Sequence, residues 1–306
     1  MNKKSILGIV LLLITAFIWG LAFIAQTKGM ENVEPFTFSA TRMLLGGIAL
    51  LPMVIFLDYR KLKSADSHKA WKHKKARTRS IINGCIIGVV FCVACNFQQF
   101  ALVYSSAGKV AFITAFYMLL VPIFSLLLRY YVPPVYWLSS VIGLAGLFFL
   151  CVKINNFQGF NRGDVYALIG AVFFAIHILL IESFVKNTDG LRLSCTQLLV
   201  GGIISLIPMF IFENPSWQAI GGAIIPIIYA GIFSCGIAYT LQIIGQKYVE
   251  PSIATLVMSS ESVFAVILSS IILKETMDVF EIIGCVIMAI AIVLPQVFEI
   301  VKNRKV

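Results

Sequence analysis

The chain alternates long apolar runs with short polar ones, and the length of the apolar runs sets the first expectation. A helix needs about 20 apolar residues, each rising roughly 1.5 Å, to cross a hydrocarbon core about 30 Å thick. Ten runs reach that length, at approximately 5–25, 36–57, 80–103, 107–128, 134–152, 164–184, 193–212, 219–244, 251–273 and 279–298. The intervening stretches, such as GMENVEP, SSAG, RYYVPP, KNTDG, ENPSW and QKYVEP, carry the Pro, Gly, Asn and charge that end helices. Short alternating segments of the outer-membrane barrel type are absent, so the expected fold class is an all-α integral membrane protein with ten transmembrane helices. The first run follows Met1 to Lys4, but it is about 20 residues long and lacks a small-x-small cleavage site. It is read as the first span and not as a signal peptide.

The runs repeat. RMLLGGIALLPMVIF in the second resembles QLLVGGIISLIPMFIF in the seventh, aligning Gly46 and Gly47 with Gly201 and Gly202 at an offset of 155. Around the third and eighth runs the offset is 144, where Gln98 meets Gln242 and Tyr104 meets Tyr248; at the fifth and tenth it is 141. The expected domains are therefore a first repeat over 1–152, with a basic cytoplasmic loop at 58–79, and a second over 153–306. Each repeat holds five spans, an odd number, so the second must enter the membrane upside down relative to the first. Such inverted repeats suit alternating access around a site near the midplane.

Composition agrees with the pattern: 59% of residues are hydrophobic and 12% charged, and mean hydropathy is +0.94. A soluble domain with so little polar surface is excluded. The net charge of +10 acquires meaning from its placement. Of 24 Lys and Arg, 18 fall in one set of alternating loops, nine of them in 58–79, and five in the opposite set; Arg42 lies inside a span. Basic residues gather on the cytoplasmic side, so both termini are expected there. The cluster lies between two spans with no groove-reading fold around it, which argues for lipid headgroups and against nucleic acid. Seven cysteines sit nearly all within apolar runs; Cys92-x-x-Cys95 has no second pair or nearby histidine and reads as packing.

Polar side chains inside spans are costly and so supply the candidate site. Glu261 lies about 15 Å into the ninth run, and its repeat partner at offset 144 is Tyr117. Together they outline a substrate site; the alternative is a structural carboxyl bonded between helices. His177, matched by Ala22 in the first repeat, is either a pathway hydrogen-bonder or a satisfied buried histidine. Trp19, Asn96, Gln98, Gln99, Tyr239 and Gln242 are cavity-lining candidates, each with packing as the alternative. Arg42 is expected to snorkel outward in preference to contacting substrate, and Lys109 to anchor at the interface in preference to attracting anions. Glu182 is expected as a helix-end charge. No G-x-S-x-G, H-E-x-x-H or Walker-type loop is present, so neither an enzyme nor a metal or cofactor site is expected.

YSSAGKVAFITAFYMLLVPIFSLLL, from Tyr104 to Leu128, closely resembles the helix 3 to 4 segment of EamA-type transporters in the drug/metabolite transporter superfamily. WGLAFI at Trp19, GDVYALIGAVFFAIHILLIESF from Gly163 and KYVEPSIATLVMSSESVF fit the same pattern in order. The resemblance implies a multi-pass carrier of the bacterial inner membrane that moves a small organic solute, such as an amino acid, through a cavity between the repeats. The family's usual Glu-Pro of helix 9 is Glu261-Ser262 here, so the backbone beside Glu261 is expected to be straighter. Proton coupling at Glu261 and a monomer or homodimer in the bilayer complete the expectations; the alternative function is a non-transporting solute sensor or assembly subunit.

Overall fold

The structure is a computed structural model describing residues 3–63, 67–151, 159–273 and 277–304. Among these residues all regular structure is helical. Ten stretches are long and apolar enough to cross a bilayer: Lys3–Gly29 (span 1), Pro35–Arg60 (span 2), Lys74–Tyr104 (span 3), Ala107–Leu127 (span 4), Pro134–Cys151 (span 5), Arg162–Val185 (span 6), Gly190–Phe212 (span 7), Ile224–Gln246 (span 8), Pro251–Leu268 (span 9) and Val279–Phe298 (span 10). Large apolar side chains face outward along them, among them Ile48 and Phe56 on span 2 and Ile203 and Phe210 on span 7. Exposed Tyr130, Tyr131 and Trp217 stand at span ends, where amphipathic rings meet the interface. The protein is an all-α, multi-pass membrane protein of two inverted five-helix repeats.

Three features differ from the sequence reading. The expected basic loop at 58–79 is mostly helix, because spans 2 and 3 continue as Pro35–Lys63 and Ser67–Tyr104. Lys, Arg and Ala are good helix formers, and the exposed Arg60, Lys63, Lys74, Lys75, Arg77 and Arg79 meet water without bending the backbone. Spans 4 and 9 are each broken near their middle. Span 8 is not a uniform α-helix: residues Tyr229–Ala238 form a π-helix. The division between repeats at 152/153, and Lys153, Lys274 and Lys305 of the charge count, lie outside the described residues.

Packing follows the duplication. Span 2 lies on span 7 and span 5 on span 10; span 1 packs on spans 8 and 9 as span 6 packs on spans 3 and 4. Exchanging the repeats leaves this pattern unchanged. The centre of the span 2 and span 7 pair is symmetric to the residue. A Cβ on Gly47 would lie 2.7 Å from Leu199, and one on Gly202 would lie 2.7 Å from Leu44, the same contact at offset 155. Apolar spans gain little from hiding in one another when lipid is the solvent, so this close backbone approach supplies the dispersion that joins them.

The two ends of the same pair are clamped reciprocally. At the end of span 7, the Glu213 carboxylate accepts the Phe36 and Thr37 backbone N–H groups and the Thr37 hydroxyl, each at 2.7 Å. At the end of span 2, Asp58 pairs with Arg192, with Arg77 3.7 Å away on its other oxygen. Glu213 follows Asp58, and Arg192 follows Thr37, at the same offset of 155. In each clamp an acid at one span's C-terminal end engages the first turn of its partner, where free N–H groups and the helix dipole favour negative charge.

Spans 5 and 10 test how tightly glycine sets these distances. A Cβ on Gly284 would lie 2.7 Å from the Gly146 carbonyl oxygen, whereas one on Gly143 meets nothing closer than 3.5 Å. Gly284→Leu is expected to cost about 1–3 kcal/mol by overpacking, read as a lower unfolding temperature in detergent. Gly143→Ala is expected to leave that temperature unchanged.

Candidate functional site

Spans 4 and 9 reach the middle of the bundle as two half-helices each. Span 4 runs Ala107–Thr114 and Tyr117–Leu127, and span 9 continues as Pro251–Met258 and Glu261–Leu273. The breaks coincide at offset 144, bond for bond. Ala115 N–H donates to Ala111 O and Ser259 N–H to Thr255 O; Phe116 donates to Ile113 O and Ser260 to Val257 O; Met118 donates to Ala115 O and Ser262 to Ser259 O. The last two pairs are i to i−3 bonds that tighten one turn, and together the three pairs keep backbone groups satisfied where no water is at hand.

The straighter backbone expected beside Glu261 is thus corrected: span 9 breaks without a proline. The physical reason lies in the preceding residues. The Ser259 hydroxyl donates to Leu256 O at 2.8 Å and the Ser260 hydroxyl to Val257 O at 2.6 Å, supplying the local bonds that compete with a continuous helix. Span 4 carries its proline later, at Pro122. That residue cannot bond Met118 O, and the Ser140 hydroxyl of span 5 donates to this carbonyl at 3.0 Å. Tyr117 and Glu261 therefore each open a half-helix. Gly20 of span 1 lets this turn sit close, since a Cβ there would lie 2.9 Å from Glu261 O and from Ala265 N.

A central cavity lies at the breaks. Seven predicted residues line it: Glu261, Tyr117, Trp19, Gln98, Tyr239, Gln242 and Arg42. Glu261 is 7% exposed, and among the described residues no hydrogen bond or ion pair reaches its carboxylate. Arg42 does not snorkel. It is 3% exposed, its guanidinium lies 5.7 Å from the Phe38 ring, and Nε and Nη2 have no hydrogen-bond partner among the described residues. Seven residues into span 2, its stem is too deep to reach the interface past neighbouring spans. Trp19 donates its indole N–H to Ser234 O at 3.4 Å, and the Thr15 hydroxyl donates to Ala238 O at 3.2 Å. Both carbonyls belong to the π-helix, whose shifted ladder offers backbone oxygens to span 1.

The other candidates lie elsewhere. His177 is fully buried and its Nε2 lies 3.0 Å from Gln197 Oε1, so its polar end is committed to span 7, with its ring against Phe91. Asn96 donates to Cys92 O at 2.8 Å and to the Ser205 hydroxyl at 2.9 Å, joining spans 3 and 7. Gln99 is buried but does not line the cavity, and neither amide atom is paired. Lys109 is neither a simple interfacial anchor nor an open anion site. Its ammonium is 2.6 Å from the fully buried Asp164 carboxylate and 2.6 Å from Gly159 O, tying span 4 to span 6. Glu182 does pair at a helix end, 2.7 Å from Lys186, and this carboxylate raises the lysine's pKa.

Gln26, Thr114 and Ser234 also line the cavity and were not singled out. Gln26 falls just past the expected end of the first run. Thr114 precedes the break in span 4, and Ser234 is the π-helix residue whose carbonyl accepts from Trp19. Phe23 stands between the central cavity and a larger cleft. That cleft is lined by Lys28, Glu31, Asp278, Glu281 and Ser262. At the opposite end, Met118, Val121, Val132, Tyr136, Val249 and Ile253 pack into the apolar core.

Half-helices meeting at a polar midpoint, repeated upside down in the same chain, define a class of membrane transporters. Within that class the chain belongs to the EamA-like transporter family, whose model matches residues 6–152 and again residues 161–295. It is 26% identical to an "uncharacterized transporter" of Archaeoglobus fulgidus, covering 92% of this chain and 83% of that protein. It is 23% identical to the "uncharacterized inner membrane transporter YedA" of Escherichia coli K12, covering 90% of this chain and 86% of that one. A solved crystal structure shares the fold at a TM-score of 0.75 and 18% identity, covering 95% of this chain and 96% of that one. The protein is a membrane transporter and not an enzyme.

Asp164 provides a check on the charge assignments. Removing Lys109 leaves a buried carboxylate without its cation, at a cost of about 3–5 kcal/mol. Lys109→Met is expected to lower the unfolding temperature in detergent sharply, and Lys109→Met with Asp164→Asn to recover most of the loss.

Proposed function

We propose that the protein is a secondary carrier of the bacterial inner membrane that moves a small organic metabolite, such as an amino acid, by rocking of its inverted repeats around the central cavity. The observation that carries this reading is the pair of matched breaks in spans 4 and 9. Each creates a half-helix start at mid-depth, where the positive end of a helix dipole and an unbonded polar side chain face a solute and not lipid. Tyr117 and Glu261 occupy these starts.

The cavity lies next to the wide cleft past Phe23 and is sealed at the other end by apolar packing, which is the arrangement of a carrier facing one side. With the basic residues cytoplasmic, the cleft faces out and both termini face in. Rocking spans 4 and 9 against spans 1 and 6 exchanges the sealed end. Glu261 carries no partner charge, so a proton is the simplest ion for its carboxyl to take up and release during the cycle.

In proteoliposomes, counterflow of a labelled metabolite is expected, tested across amino acids, purines, vitamins and polyamines. Glu261→Gln is expected to abolish uptake driven by an imposed pH gradient. Normal gradient-driven uptake by that variant overturns the proton role, and absence of counterflow across the panel overturns transport of these solutes. For topology, a fluorescent protein fused to the C-terminus is expected to fluoresce, and alkaline phosphatase fused there to remain inactive.

A further inference from the structure

We infer that the extended start of span 3 carries a binding site for one anionic phospholipid: Lys74, Lys75 and Arg79 hold its phosphate, and an acyl chain lies along the apolar face that follows them. The site stands apart from the central cavity and is independent of what that cavity carries. A surface recess is lined by Lys74, Lys75, Thr78, Arg79, Ile82 and Asn83, all from the helix Ser67–Tyr104. At 3.6 residues per turn these six positions share about half of the helix circumference. The recess is thus one continuous face, cationic at the start of the helix and apolar further on.

That face has the layout of a lipid. Beyond the cations, Ile82, Ile86 and Val89 are exposed along the same side of the span. From Arg79 to Val89 the helix rises about 15 Å, which is the hydrocarbon depth of one leaflet. Asn83 follows Arg79 by one turn and is half-buried, and among the described residues no hydrogen bond reaches its amide. With a phosphate on the cations, its N–H groups stand level with the ester carbonyls of the same lipid. A phosphodiester matches the donor fork of an arginine and the point charges of two lysines, whereas a zwitterionic headgroup brings a cation of its own into the cluster.

The neighbouring basic residues are engaged otherwise. Arg77 points from the other side of the helix to Asp58, 3.7 Å away, and belongs to the clamp with Arg192. Arg60 and Lys63 lie 5.8 Å and 6.0 Å from the ring centroids of Phe56 and Tyr59. Lys74 and Arg79 are exposed, and no carboxylate pairs with either among the described residues. The duplication separates this charge from the needs of the fold. At offset 144 the six positions become Gln218, Ala219, Gly222, Ala223, Pro226 and Ile227. The inverted copy is helical there too, from Trp217 to Gly222, without a single cation. The charged copy is the one that enters from the side where basic residues gather, which is the side of the anionic leaflet.

The test is native mass spectrometry of the purified full chain, with phosphatidylglycerol and phosphatidylcholine of identical acyl chains as probes. The wild-type protein is expected to hold one phosphatidylglycerol at least about 10-fold more tightly than phosphatidylcholine. Lys74→Gln, Lys75→Gln and Arg79→Gln together are expected to remove the preference while leaving phosphatidylcholine binding unchanged. Arg60→Gln, Lys63→Gln and Lys247→Gln remove the same charge from the same side of the membrane and are expected to keep it. Glycerol 1-phosphate in large excess, which offers the anion without the chains, is expected not to displace the lipid.

Equal retention of the two lipids by the wild-type protein overturns the site whatever the variants do. Equal loss of preference in the two triple variants replaces the site with diffuse surface charge and overturns it as well. Displacement by glycerol 1-phosphate makes the recess a soluble-anion site and removes the lipid. The carrier reading is untouched by each of these results, because it is read from counterflow.

Discussion

Backbone polar groups in a hydrocarbon layer must be satisfied by the protein itself, and the middle of this molecule is arranged around that demand. Interrupting a helix halfway across the membrane exposes N–H and C=O groups at the place where they cost most. Spans 4 and 9 meet the cost with the same short-range bonds, from residues 115 to 118 and 259 to 262. The serine hydroxyls at 259 and 260 and the Ser140 hydroxyl at Met118 O complete the set. Once the breaks are sustained, the side chains that open the second half-helices have no neighbouring turn to cover them. The cavity and its polar lining follow.

The broken spans pack on spans 6 and 1, while spans 2 and 7 form a separate pair, joined at the centre through Gly47 and Gly202 and at both ends through Glu213 and Asp58. The acids lie at opposite faces of the membrane, so the pair is held at its two ends while spans 1, 4, 6 and 9 surround the cavity. The π-helix of span 8 adds a second function. Its displaced carbonyls hold Trp19 and Thr15 of span 1, fixing one aromatic wall of the cavity by hydrogen bonds to backbone in place of side chains.

Span number, the repeat and the pairing of Tyr117 with Glu261 were legible in the sequence because they rest on length and on alignment of the chain with itself. Continuous spans 4, 8 and 9 were expected wrongly, since apolar composition reports a crossing and is silent on the hydrogen bonds inside it. Proline was taken as the signal of a break at Glu261, while consecutive serines produced it. Arg42 was misjudged because snorkelling depends on what lies beside a long side chain, which the order of residues along one span does not contain. Lys109 illustrates the same gap: its partner Asp164 is 55 residues away, in the other repeat.

The duplication has also drifted in a way that bears on energetics. Lys109 and Asp164 correspond, by the offsets of their spans, to Ile253 and Ile9, both of which join the apolar core. One face of the bundle is thus fastened by charge and its mirror face by hydrocarbon. Two halves that began as copies now hold corresponding helix contacts by different forces, written into four side chains outside the lining of the central cavity.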